Sequence, residues 1–290
     1  VSQIDSKREV QQFYDEIGWQ IVDGERYQNA RFEDLRHVSR EYIRRCHLRV
    51  GRPLKRSGRY LLDAGSGPVQ YPEYLTYSEN YEKRVCLDIS IVALEEARKR
   101  LGEKSFYVVG DIVHLPFAAD VFDGLVSLHT LHHVPAQDQL QAYAEFYRVL
   151  APASSAVVVN GWQMAPLMIR WAPIVHFAER VAGFLRRFRR QEIELKPNPQ
   201  VRVGKKNVKT TPTGTFVRKI DAAWLRENLP AFMNLKIRVW RAVNVRWMRA
   251  LIHPGLGGKL WLRLLFWLEE RRPEYYGENG QYPLVIISKD

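Results

Sequence analysis

The chain has 290 residues, 46% of them hydrophobic and 26% charged, and carries a formal net charge of +12. That length suits one sheet domain with insertions, and the apolar content is ample for a core, which excludes a disordered chain. Two cysteines, Cys46 and Cys86, imply no disulfide framework, and no signal peptide is visible, so the default expectation is a cytoplasmic protein.

Residues 1–57 read as an N-terminal helical cap. A helix is expected over 32–50, with Leu35, Val38, Tyr42 and Cys46 on one face. Tyr14 is a candidate lid residue, with an ordinary core tyrosine as the equal alternative. The next unit runs over 58–162. Leu61-Leu62-Asp63-Ala64-Gly65-Ser66-Gly67 reads as a buried strand ending in an acid and a glycine turn. In open α/β sheets, ligands bind just past the carboxyl ends of the strands, where such turns lie. Gln70 stands where a dinucleotide fingerprint has its third glycine, and no phosphate-binding G-x-x-x-x-G-K-[ST] occurs, so a cofactor without phosphates fits better.

Three further apolar runs follow with the same punctuation. Val85 to Ser90 places Asp88 where an acid accepts both hydrogen bonds of a ribose diol, helix capping being the alternative. Ser105 to Ile112 carries Asp111 near its end, and Phe122 to His129 is a fourth run. Asp123 precedes that strand and is read as structural. Ala156 to Asn160 is a fifth. Helices are expected over 91–101 and 138–150, so strands and helices alternate as in parallel βαβ units.

The remainder, 163–290, is different in kind. Residues 1–160 carry 20 Lys and Arg against 22 Asp and Glu, whereas residues 161–290 carry 24 against 10, with seven of the eight Trp. A helix is expected over 166–190 with a break at Pro173, a polar loop or flap over 191–215, and a short Asp-capped helix over 221–229. Strands are expected over 235–243 and 282–288. A helical insertion at 245–272 is broken at Pro254-Gly255 and Gly257-Gly258. Phe184, Leu185 and Phe188 alternate with Arg186, Arg187, Arg189 and Arg190, and Trp261, Leu264, Leu265 and Leu268 stand beside Lys259 and Arg263. Three readings stay open: helices packed over the sheet, a lid around an apolar acceptor, or contact with an anionic membrane surface. The stretch from Leu256 to Leu268 is shorter than the roughly 20 residues of a spanning helix.

Together, Asp63-x-Gly65-x-Gly67, Asp88, Gly110-Asp111-Ile112-x-x-Leu115-Pro116-Phe117, Phe122-Asp123 and Leu131-His132-His133-Val134 resemble the class I S-adenosylmethionine (SAM) dependent methyltransferases. The likeness covers 58–162 and is nearest to the branch acting largely on small molecules. It implies a Rossmann-like, seven-stranded, mostly parallel sheet with helices on both faces. It also implies that Gly65 and Gly67, in the turn with Ala64 and Ser66, pack against the methionine part of SAM. Asp63 would orient that turn or the SAM ammonium. Asp88 with Ile89 would hold the ribose, Asp111 with Ile112 the adenine, and Leu128 and His129 would lie below the sulfonium. Pro68 departs from the family pattern, where a small or polar residue and a glycine are usual.

His129, His132 and His133 form H-x-x-H-H. No neighbouring cysteine pair or H-E-x-x-H completes a metal site, so pocket lining or helix packing is expected instead, with one of the three a candidate general base. The expected reaction is SN2 transfer of the SAM methyl to a small, apolar or lipid-like acceptor, with oxygen favoured as the acceptor atom. An RNA (tRNA) acceptor is the first alternative, since a basic, aromatic half can bind phosphates and stack bases. Ser127-Leu128-His129-Thr130 lacks the Asn/Asp-Pro-Pro-aromatic tetrad of the resembling DNA-base enzymes, so nucleic acid is less favoured. A non-catalytic SAM-fold binding protein is the second alternative.

Overall fold

A sheet whose strands are apolar on both sides needs cover on both faces, and this chain supplies it. The computed structural model describes residues 10–15, 21–23, 26–27, 33–191 and 217–290. Seven strands form the central sheet: β1 (Gly58–Ala64), β2 (Tyr81–Asp88), β3 (Ser105–Val109), β4 (Gly124–Leu128), β5 (Ser154–Val159), β6 (Lys236–Arg241) and β7 (Tyr282–Lys289). Their order is β3-β2-β1-β4-β5-β7-β6. All neighbours are parallel except β7, which runs antiparallel to both β5 and β6. This is the Rossmann-like, mostly parallel sheet that the motifs imply.

Alternation along the strands sorts the core into two layers. Leu61, Cys86, Val126, Val157 and Ile286 face one layer, with Tyr42 and Cys46 of the helix Arg40–Leu48, Leu94 and Ala97 of Ile91–Leu101, and Leu262 and Phe266 of Gly258–Arg271. Leu62, Val85, Leu125, Val158 and Ile287 face the other, with Ala142 and Phe146 of Ala136–Val149 and Leu225 of Ala222–Asn228. Ser90 opens the helix Ile91–Leu101 by accepting the Ala93 N–H at 3.1 Å, and Asp221 caps Ala222–Asn228 by accepting the Trp224 N–H at 2.9 Å.

Several boundaries differ from the sequence reading, each for a physical reason. The expected helix over 32–50 begins only at Arg40. Asp34 holds the preceding residues in a turn, accepting from Arg36 Nε at 2.7 Å and Ser39 Oγ at 2.6 Å. The segment expected to be a helical cap also contains a two-stranded antiparallel hairpin, Ile21–Asp23 with Arg26–Tyr27. Pro173 does not break its helix, which runs from Pro166 to Gln191. Pro173 lies on the exposed side, where water can serve the carbonyl its ring deprives of a partner. The insertion after β6 does break where expected, into helices Val245–Leu251 and Gly258–Arg271 with a 3₁₀ turn, Pro254–Leu256, between them. Most of the polar stretch 191–215, and the side chains from Leu185 to Arg190, lie outside the described residues.

Candidate active site

Parallel strands bring their carboxyl ends to one edge of the sheet, and the antiparallel β7 brings its amino end there, Tyr282 pairing with Arg241. A cavity of about 440 Å³ opens along that edge. It gathers Asp63, Gly65, Ser66, Gly67, Asp88, Ile89, Asp111, Ile112, Leu128, His129, His132, His133 and Tyr14. Ala64 does not line it and is fully buried beneath the turn.

The glycine turn is built for close approach. Gly65 has φ 74° and Gly67 φ 53°, left-handed values that glycine takes without strain. A Cβ at Gly65 would fall inside the Thr130 side chain. The Gly65 and Ser66 N–H groups donate to Leu87 O at 2.7 and 3.1 Å, which ties the turn to β2. Asp88 braces it from the other side: its Oδ2 accepts the Gly67 N–H at 2.8 Å and its Oδ1 the Ser90 N–H at 2.9 Å. Burial raises the Asp88 carboxyl to about 6, against the pull of those two N–H groups. Asp88 therefore fixes local backbone and lines the cavity, while Ser90 and not Asp88 caps the following helix. Asp111 does likewise, accepting the Val113 N–H at 3.0 Å. Asp63 is tied beneath the turn by a buried ion pair with Arg84, whose Nε donates to Oδ2 at 3.1 Å. Asp123 accepts the Arg59 N–H at 2.7 Å, away from the cavity.

Past β4 the wall is aromatic and imidazole. His129 sits at φ 57° with its N–H donating to Val159 O at 2.7 Å, and its ring meets Trp240 and Tyr282 edge-on at 5.0 and 5.8 Å. Burial, with the nearby Arg241 charge, lowers it to about 3, so its ring is neutral. His132 Nδ1 lies 2.6 Å from Asn160 Oδ1, an acceptor, so Nδ1 carries the proton and Nε2 the lone pair. Burial and the neighbouring His133 hold His132 well below the ordinary imidazole range. His133 Nε2 lies 2.8 Å from the Tyr14 hydroxyl, which draws the segment 10–15 over the cavity mouth with Val10 and Phe13. Among the described residues, no group of three His, Cys, Asp or Glu side chains is placed to hold a metal ion.

Several lining residues carry no motif. Glu33, Tyr71, Tyr74, Lys219, Arg241 and Tyr282 all face the cavity. Burial opposes ionisation of Glu33, yet the charge of Arg241 and the bond to His47 hold its carboxyl at about 2. Only one of these had a readable signal: Arg241 is a charge at the end of the strand Lys236–Arg241, as acids stand at the ends of the strands that carry Asp63 and Asp88.

Comparison with known proteins follows the same division. The family described as "Methyltransferase domain" matches residues 62–158. The ubiquinone/menaquinone biosynthesis C-methyltransferase UbiE of Cereibacter sphaeroides is 33% identical over 125 residues, covering 40% of this chain and 48% of the relative. UbiE of Paracoccus denitrificans is 32% identical over 123 residues, with the same coverage, 40% and 48%. The chain thus spans about half the length of the curated relatives it matches. Among solved structures, the Haemonchus contortus phosphoethanolamine N-methyltransferase 1, in complex with phosphoethanolamine and S-adenosylhomocysteine, superposes with TM-score 0.55 at 9% identity, covering 100% of this chain and 50% of that one. The [4+2]-cyclase SpnF superposes with TM-score 0.50 at 18% identity over 98% and 97%. The strand order, the glycine turn with its strand-end acids and the family match agree: residues 62–158 match a methyltransferase domain, within a sheet of the methyltransferase fold.

Proposed function

We propose that this chain transfers the methyl group of SAM to a small, largely apolar acceptor that carries a hydroxyl group. One observation carries the reading: the glycine turn and strand-end acids share a single cavity with a wall of histidine and aromatic side chains. Gly65 and Gly67 leave room for the methionine part, Asp88 has lone pairs left for the ribose hydroxyls, and Asp111 with Ile112 stands where adenine would lie. Bound there, SAM supplies an electrophilic methyl on a sulfonium. The chain's task is then alignment, exclusion of water and removal of one proton.

His132 is the base we assign. Its Nδ1–H is held on Asn160, which leaves the Nε2 lone pair to accept the acceptor's hydroxyl proton. The oxygen lone pair forms the new bond to carbon as the carbon–sulfur bond breaks, and S-adenosylhomocysteine leaves. A ring carbon is the second reading, favoured by the UbiE relatives, whose name is that of a C-methyltransferase. A deprotonated phenol is nucleophilic at oxygen and at its ortho carbons, so the same first proton transfer serves both; on the carbon route the ring C–H proton then leaves as the hydroxyl is restored.

A membrane-facing role for the helix Gly258–Arg271 fits the acceptor being lipid-like. Leu262, Leu265 and Phe266 face the core, while Leu260, Trp261, Leu264 and Trp267 are 46–66% exposed on the other side, beside Lys259 and Arg263. Among the described residues, no helix is long and apolar enough to cross a membrane.

The test is calorimetry with S-adenosylhomocysteine, then incubation of isotopically labelled SAM with a panel of apolar phenols and NMR of the products. Binding and a labelled methyl on oxygen are expected, and His132→Ala should lower kcat by about a hundredfold. No binding of S-adenosylhomocysteine would overturn the reading. A methyl on carbon would move the acceptor atom, and an unchanged rate in His132→Ala would remove the base.

A further inference from the structure

Charge is distributed unevenly along the cavity. On the β1–β3 side the charged side chains that line it include the acids Asp88 and Asp111. Past β5 the sign reverses. Lys219 lines the cavity and lies over Gly161, just after β5: a Cβ at Gly161 would be 3.2 Å from Lys219 Nζ and 3.5 Å from the Tyr282 ring. Arg241, the other cation in the wall, is matched by Glu33. Among the described residues, nothing plays that part for Lys219. Among those residues its ammonium makes no ion pair or hydrogen bond, and burial lowers its pKa with no described carboxylate acting on it. Glu33, the carboxylate on this side of the cavity, is already engaged by Arg241 and His47. The histidines beside Lys219 offer no negative charge.

A half-buried, unmatched ammonium is costly, and a ligand anion that replaces its lost hydration recovers that cost on binding. We propose that Lys219 binds a carboxylate carried by the methyl acceptor, so that the substrate class is an apolar, hydroxyl-bearing acid. This rests on the methyltransferase reading of the same cavity. A carboxylate is favoured over the acceptor's own phenol because a phenol titrates near 10 and arrives neutral, leaving the ammonium unmatched in the ground state. The position agrees: Lys219 stands past β5 and beside β7, on the far side of β4 from the turn that would hold the cofactor. Gly161 is the residue that makes room for it.

The experiment uses the full chain saturated with S-adenosylhomocysteine and three aromatic probes: benzoate, benzamide and phenol. Wild type, Lys219→Met and Lys219→Arg are compared by calorimetry, with thermal melts as the check that each variant folds. Wild type should bind benzoate about tenfold or more tightly than benzamide, a charge-assisted preference. Lys219→Met should lose that preference and Lys219→Arg should keep most of it, while affinity for S-adenosylhomocysteine stays unchanged. Equal binding of benzoate and benzamide to wild type, or no binding of either, overturns the proposal. A preference that survives in Lys219→Met does so too. If phenol alone depends on Lys219, the cation serves the nucleophile and not a carboxylate. If Lys219→Met instead weakens S-adenosylhomocysteine, the cation serves the cofactor's own carboxylate. Failure of wild type to bind S-adenosylhomocysteine at all is the separate result that removes the methyltransferase reading.

Discussion

The two sides of the cavity are built by different routes. On the β1–β3 side, each functional group follows its own strand: a strand ends, and the next few residues turn and present a glycine or an acid. On the β4–β7 side, the wall is assembled from chain segments far apart. Glu33 meets Arg241 across 208 residues, and His129 packs on Trp240 and Tyr282. The first side is set by local backbone geometry and suits a ligand that does not vary. The second is set by tertiary packing, which can be rebuilt for another acceptor without touching the cofactor turn.

Each side has a buried ion pair beneath it, which allows the contrast to be broken deliberately. Asp63–Arg84 lies under the cofactor turn and Glu33–Arg241 under the acceptor wall. Removing one partner leaves a buried charge uncompensated, so Asp63→Asn and Glu33→Gln should each cost about 3–5 kcal/mol in urea unfolding. Their ligand effects should separate. Asp63→Asn should also weaken S-adenosylhomocysteine, because Asp63 sits in the turn, whereas Glu33→Gln should leave that affinity within a few-fold. The Glu33 contribution has a defined pH window. Its folded carboxyl is depressed from 4.5 to about 2, so the stabilisation is complete above 4.5 and is lost as pH falls towards 2. The gap between wild type and Glu33→Gln should close over that range. A gap that persists at the acid end would show that packing, not charge, sets the cost.

This contrast also explains what the sequence made legible. The strands, the alternation and the residues Gly65, Gly67, Asp88 and Asp111 were readable because strand, turn and acid are neighbours in the chain. Even there the reading missed a role: Asp88 braces the Gly67 turn while lining the cavity. Glu33 and Lys219 were not readable, because an isolated charge in a helical or irregular segment has no local signature of burial. Pro173 was misread because the cost of a helical proline depends on which side faces water, and that is set by tertiary packing. The left-handed backbone of His129 was equally invisible, being imposed by its bond to Val159 and its aromatic neighbours.

The two sides should also answer pH differently. Asp88 stands at about 6 without ligand, and ribose hydroxyls donating to it favour the ionised form. Binding therefore releases a proton whenever Asp88 starts protonated. Affinity for S-adenosylhomocysteine should be flat above about pH 6 and fall by up to tenfold per unit below it, measured by calorimetry in buffers of different ionisation enthalpy. His129, at about 3, stays neutral throughout that range and should contribute no limb. A flat affinity down to pH 5 would mean that Asp88 does not contact the cofactor.

The smallest expected effect sits where the two sides meet. Tyr14 belongs to neither a strand end nor the aromatic wall; it reaches the cavity from the N-terminal segment and bonds His133 at 2.8 Å. Tyr14→Phe keeps the ring, with its edge-on contact to His133 at 5.4 Å, and deletes only the hydroxyl. A single hydrogen bond of this kind is worth about 0.5–1.5 kcal/mol, so ligand affinity should drop between about twofold and tenfold, with little change in melting temperature. If residues 10–15 act as a lid, the loss should appear in the dissociation rate of S-adenosylhomocysteine more than in its association rate, because the bond forms after the ligand has entered. Stopped-flow fluorescence separates the two. An effect confined to the melting temperature would instead make Tyr14 a packing residue, and the cavity mouth would then owe its closure to Val10 and Phe13 alone.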